Sequence, residues 1–206
     1  MQRFNGYDDA KKQASASGQA KLPAGAYVCK IMAVRYTAGT NGNSDRIDIQ
    51  FDIEEGDLKG FFRTQYDASS DDSKKWKGKT SIYVPQDDGS DRDNITKRIF
   101  ANWTDSLEKS NTGYIWDWDE NKWKNKLVGI VFGETGTIIE GREVTYTEAR
   151  FPVSVSVVRS GSAPVAKFKA RNGWTGAQSS GSSAKSEPGA DTGFMDMNAT
   201  DEEIPF

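Results

Sequence analysis

The run Arg46-Ile47-Asp48-Ile49-Gln50-Phe51-Asp52-Ile53 alternates polar and apolar residues without a break. A side-chain period of two fits an extended strand with one face in a core and the other facing water. Ile47, Ile49, Phe51 and Ile53 share the core face, and a lone strand cannot bury such a face, so the chain must supply partners. Tyr27 to Tyr36 alternates more loosely and is set off from it by a Gly/Asn-rich loop, Ala38 to Ser44. Beyond the turn Glu54-Glu55-Gly56-Asp57-Leu58-Lys59-Gly60, Phe61 to Tyr66 is predicted as a third strand, completing a meander. The period then changes. From Asp91 to Ser110, Ile95, Ile99, Phe100, Trp103 and Leu107 recur at helical spacing, with Asp91 or Asp93 available as the cap and Trp103 in the core. Two strand regions follow, Lys126 to Phe132 and a hairpin-like stretch from Thr137 through Tyr146 into Phe151 to Val158.

Three strands, a helix and two or three more strands is the element order of the OB-fold, a small Greek-key barrel that binds oligonucleotides across strands two and three and adjoining loops. The predicted fold is therefore mainly β: an OB-fold-like barrel with one helix between strands three and four. Barrel closure would also spare so many short strands an exposed edge.

The chain divides into three by composition. Residues 1–21 are polar and apolar-poor and read as a mobile N-terminal arm ending in the turn Lys21-Leu22-Pro23-Ala24-Gly25. Residues 22–171 are long enough for one domain with a real core. Residues 172–206 are Ser/Gly/Ala-rich and too poor in apolar groups to offset ordering entropy, so a disordered tail is expected there. The tail holds one Lys against six carboxylates, net −5, which leaves the first 171 residues with 26 bases against 24 acids, net +2. A body so close to neutral would bind nucleic acid through charge placement and stacking, not through bulk charge.

Several chemistries are excluded by residue type. There is no His and one Cys, so His-based zinc sites, Cys/His nucleophile pairs and Ser-His-Asp triads are unavailable. Asp87-Asp88-Gly89-Ser90-Asp91-Arg92-Asp93 places its Gly third, where a calcium loop needs it sixth, so a turn with a helix cap is predicted. Asp45, Asp48 and Asp52 could be imagined as a two-metal nuclease set, but alternation puts Asp48 and Asp52 on the polar sheet face. No catalytic residues, metal or cofactor are expected. No apolar run approaches membrane-spanning length and Met1-Gln2-Arg3-Phe4-Asn5 lacks a signal peptide's apolar stretch, so no membrane association is expected and a cytoplasmic location is.

The chain ends Asp201-Glu202-Glu203-Ile204-Pro205-Phe206, an acidic cluster running into an apolar tip. A basic pocket on a partner could take the three carboxylates, seat the Phe206 ring and clamp the terminal carboxylate. This tip resembles the tail of the bacterial single-stranded DNA-binding protein family. Leu22-Pro23-Ala24-Gly25-Ala26-Tyr27, the stretch Asp45 to Gly60 and Val158-Arg159-Ser160-Gly161 look like phage-encoded or mobile-element members of that kind. The resemblance implies sequence-independent single-stranded DNA binding and protection. It also implies recruitment of replication, recombination or repair proteins through the tip. The long arm and a Trp-rich insertion, Tyr114 to Trp123, depart from the cellular pattern, so a homo-oligomer is left open rather than carried over.

Single-strand binding calls for aromatic rings among Lys and Arg. The leading segment is Phe61, Phe62, Arg63 and Tyr66 continuing to Lys74, Lys75, Trp76, Lys77 and Lys79, the alternative being Trp76 folded onto the core. In Trp116 to Lys124 three Trp fall within eight positions, but Asp117, Asp119 and Glu120 would repel phosphate, so core packing or a partner contact stays equally open. Arg142, Arg150 and Arg159, with Lys167, Lys169 and Arg171, could line a groove wall or be solvated. Two other functions remain in view, a protein-interaction hub whose tip competes for the same pockets and a nuclease or nuclease-associated factor.

Overall fold

The computed structural model describes residues 21–40, 44–69 and 74–174. Residues 1–20 of the predicted arm, the tail from Thr175 and the tip Asp201 to Phe206 lie outside them. The strand predicted from the strict alternation is β2, Arg46–Ile53, with Ile47, Ile49, Phe51 and Ile53 all buried. It pairs antiparallel with β1, Gly25–Thr37, and with β3, Lys79–Tyr83. β1 turns its other edge to β4, Leu127–Ile139, which forms one long antiparallel hairpin with β5, Arg142–Val153. Glu140 and Gly141 turn that hairpin at φ 50° and 74°, the pair of left-handed residues a two-residue turn between twisted strands requires. A short β6, Lys169–Ala170, runs parallel to β4 and makes the sheet mixed.

The sheet order is β3-β2-β1-β4-β5. β3 and β5 stand at its two ends, and among the described residues no strand pairing closes the sheet into a barrel. The helix between β3 and β4 is α2, Asp91–Ser110, which packs against β3, β4 and β5 and buries Phe100, Trp103 and Leu107. Its cap is Ser90, whose Oγ accepts from the Asp93 N–H at 3.1 Å, not Asp91 or Asp93. Asp93 instead accepts from the N–H groups of Gln86 and Asp87 and pairs with Lys97, which holds its carboxyl below the usual carboxylate range. The loop at Asp87 to Asp93 is thus a turn and a cap.

One predicted strand and the end of another are helical. Phe61 to Tyr66 lies in α1, Phe61–Ala68. The Asp52 carboxylate reaches up from β2 and accepts from the N–H groups of Phe62 at 3.0 Å and Arg63 at 3.2 Å, supplying acceptors that a helix start lacks. Phe62 and Gln65, three apart, then face inward. The third strand of the meander is Lys79–Tyr83 instead. At the other end, Val155 to Val158 turns into α3, Val155–Arg159, because Ser110 Oγ at the end of α2 accepts from the Val155 N–H at 3.0 Å and diverts the chain from β5. Context here overrides the strand propensity of valine.

The described residues belong to one compact unit that ends at Trp174, three residues past the boundary predicted at 171. Phe168 and Trp174 cover Gly136 of β4, where a Cβ would come within 2.7 Å of both rings. Among the described residues no helix is long and apolar enough to cross a membrane. The single Cys29 is fully buried on β1, and burial, followed by the charge of nearby Asp52, pushes its thiol well above the ordinary range. Native protein should therefore resist thiol reagents and label only on unfolding. Labelling of the folded chain at the rate of a free thiol would contradict this packing.

Candidate nucleic-acid interface

The leading aromatic-basic segment comes together although its first half is helical. Gly78 makes this possible: its backbone passes so close to β2 that a Cβ on it would lie 2.3 Å from the Phe51 carbonyl oxygen. The returning chain therefore lies against β2, and the Trp76 indole N–H donates to the Phe51 and Gly78 carbonyls at 3.1 and 2.9 Å. That fixes the ring beside α1. The Tyr66 ring stands 5.8 Å from it, the Arg63 guanidinium 5.7 Å from its centroid, and Lys74 Nζ sits 4.7 Å over Tyr66. Trp76 and Tyr66 are half-buried, while Arg63, Lys75, Lys77 and Lys79 are exposed. Trp76 is thus both packed on the core and presented at the surface, combining the two readings of its sequence.

The two phenylalanines of the segment go elsewhere. Phe62 is buried, edge-on to Phe51 and near Phe132, and Phe61 is half-buried against Phe62. Phe62 leaves the candidate surface because its place one residue after the helix start points it into the core.

A second set of residues, missed in the sequence, joins this cluster. Beyond the bulge between Ile31 and Ala33, strand register places Ala33, Gln50 and Lys79 in one row across the outer sheet face, Arg35, Asp48 and Ser81 in the next, and Thr37, Arg46 and Tyr83 in the third. Lys79 is shared with the aromatic cluster through Lys77 and Gly78. Asp52, whose carboxylate starts α1, lies on the same face opposite Lys30, and its pKa is raised, burial outweighing the three backbone N–H groups that it accepts. From Asp52 to Arg46 the face runs about 20 Å along β2. At its centre Asp48 accepts from Ser81 at 2.6 Å, Thr37 at 3.0 Å and Arg46 at 3.3 Å. Burial works against its charge, but these donors prevail and hold it below the carboxylate range. Asp48 orients Arg46 and leaves Arg35, Lys79 and Lys30 as the outward positive charges. Tyr36 donates to Asp45, which also accepts from the Gly39 N–H at 2.7 Å and ties down the start of the loop at the mouth of this face.

The third candidate set does not form a groove wall. The Arg150 side chain is only 5% exposed, with its guanidinium 2.9 Å from Glu148, 2.9 Å from the Glu134 carbonyl and 2.8 Å from Thr135 Oγ1. It is a structural crosslink of the β4–β5 hairpin, out of reach of a phosphate. Arg159 forks onto Glu55 at 3.1 and 2.5 Å and draws that carboxyl's pKa down. Arg171 bonds Tyr146 and Glu148. Arg142 stays exposed at the start of β5, beside the hairpin tip. In the Trp-rich insertion Trp123 is fully buried, Trp116 half-buried and Trp118 78% exposed. Trp103 is core, as its helical position predicts.

No protein-family model matches the chain, and no curated protein gives a significant match.

Proposed function

We propose that this protein binds single-stranded DNA without sequence preference along the outer face of β1–β2–β3, with the Tyr66–Trp76 pair as its stacking platform. The observation that carries this reading is the continuity of that platform, flanked by Arg63 and Lys74, with the outward charges Lys79, Arg35 and Lys30 on the outer sheet face. Stacked rings supply affinity to any base, and Lys and Arg side chains spaced along a strand direction neutralise successive phosphates. The sheet order supports an OB-fold reading of the same face: β3-β2-β1-β4-β5, with a helix between β3 and β4, is a five-stranded OB order opened between β3 and β5. α2, touching both end strands, would occupy the opening.

Affinity for labelled oligo-dT should exceed affinity for duplex and fall with salt at a log-log slope of about −0.7 per phosphate neutralised. Lys77→Ala and Lys79→Ala should each make that slope shallower by about 0.7. Equal affinity for duplex, or slopes unchanged in both variants, would contradict this placement of the strand.

The acidic Ile-Pro-Phe tip completes the reading as a cytoplasmic recruiter of replication, recombination or repair proteins. Its support is the sequence Asp201 to Phe206, which combines three carboxylates with an apolar ring. Phe206→Ala, or Glu202 and Glu203 both changed to Gln, should abolish or impair capture of such proteins by DNA-loaded protein and leave DNA binding intact. Equal capture by parent and both variants would remove the tip from this role.

A further inference from the structure

Between α2 and β4 the chain exposes an apolar plate that strand binding leaves unused. Trp118 is 78% and Ile115 77% exposed. The Trp118 ring lies nearly parallel to the buried Phe100, with centroids 6.3 Å and planes 13° apart, and stands 6.0 Å from Trp116. One indole face is therefore backed by the core and the opposite face is open. The plate is held in place from both sides. Glu108 accepts from the Trp116 N–H at 2.7 Å, and Asp119 accepts from the Asn121 N–H at 3.1 Å to start the 3-10 turn Glu120–Trp123, which ends in the fully buried Trp123. Trp118 sits at φ 66°, a left-handed conformation that costs a bulky residue energy, so its exposure is imposed by the surrounding packing.

The charges beside the plate decide what it suits. Asp117, Asp119 and Glu120 flank Trp118, and Asp117 is already engaged by Lys122. Carboxylates at the rim repel a phosphate backbone, whereas an open indole face beside carboxylates attracts a cation from above and its charge from the side. We propose that this plate docks a segment of a partner protein that presents an arginine or lysine next to an apolar side chain. The cation lies over Trp118 with its charge toward Asp119 and Glu120, and the apolar neighbour covers Ile115. This proposal does not depend on DNA binding.

The test is an NMR titration of the full chain, labelled at the Trp indole nitrogens and Ile methyls, with N-acetyl-leucyl-arginine amide and with its citrulline counterpart, which keeps the shape without the charge. The arginine peptide should shift the Trp118 indole and Ile115 methyl signals saturably, and the citrulline peptide should not. Trp118→Ala, at an exposed position, should keep its thermal unfolding and lose binding, and Glu120→Gln should weaken binding several-fold. Should Trp118→Ala fail to fold, Trp118→Leu serves, with the same expected loss. Equal shifts with the citrulline peptide, shifts at Trp118 produced by oligo-dT, or shifts that grow with protein concentration alone would each overturn the proposal. They would assign the plate to a neutral ligand, to DNA or to a second copy.

Discussion

Truncating Arg150 to Ala is expected to destabilise the protein by about 3 kcal/mol and leave the DNA affinity of the folded molecule unchanged. The guanidinium ion-pairs with the Glu148 carboxylate through Nη1 and donates from Nη2 to the Glu134 carbonyl and Thr135 Oγ1, tying the two strands of the β4–β5 hairpin together. It also lies against Gly133, where a Cβ would come within 2.8 Å of Arg150 Nε. Removing it leaves a cavity and strips Glu148 of its closest cation. The loss falls at the lower end of the range for broken buried pairs, because Glu148 is 21% exposed and keeps Thr135 at 3.0 Å and Arg171 at 3.3 Å. For a chain of this size about 3 kcal/mol corresponds to roughly 6–12 °C in Tm. Arg150→Lys should recover little, since an ammonium cannot present a planar fork that ion-pairs with Glu148 and bonds two oxygens of β4 at once. Denaturant unfolding beside an oligo-dT titration separates the two roles: a stable variant with weakened DNA binding would return Arg150 to the interface.

Trp76→Ala is the complementary case. It should weaken single-strand binding by about 1–3 kcal/mol, roughly 5- to 150-fold in Kd, because stacking on one base carries that much. The ring is preorganised by its two indole N–H bonds, so little side-chain entropy is lost when a base arrives. The same ring packs on the core, and the alanine variant will also lose stability. Trp76→Phe distinguishes the effects: it keeps a stacking face, loses both hydrogen bonds, and should melt lower while retaining most of the affinity. Full affinity in a folded Trp76→Ala variant would exclude the ring from the site.

What the sequence reveals depends on whether the deciding contact is local. β2 is legible because its two faces meet different surroundings, so alternation alone separates core from solvent. α2 is legible because its apolar stripe, Ile95 to Leu107, spans more than three turns. Phe61 to Tyr66 is not, since two adjacent phenylalanines suit a strand or a helix start equally and the deciding acceptor, Asp52, lies nine residues upstream on another element. Val155 to Val158 misleads in the same way, its fate being set by Ser110. Of the interface, the density of rings and bases around Trp76 could be read directly, although the helix that carries Tyr66 could not. Arg35, Arg46 and Tyr83 escaped because only pairing register, shifted by the bulge between Ile31 and Ala33, brings them side by side. Arg150 looked like any strand arginine, and only the burial of the β4–β5 hairpin shows it to be internal.

The central claim is that the Tyr66–Trp76 platform and the outer face of β1–β2–β3 hold single strands. The most direct measurement follows native Trp emission of the full chain during titration with oligo-dT, in the presence and absence of excess duplex, for the parent and Trp76→Phe proteins. The account predicts saturable quenching by oligo-dT that duplex does not displace, with most of the quenching lost in Trp76→Phe although the strand still binds. Absence of quenching and binding by oligo-dT, or equal quenching by duplex, would contradict it.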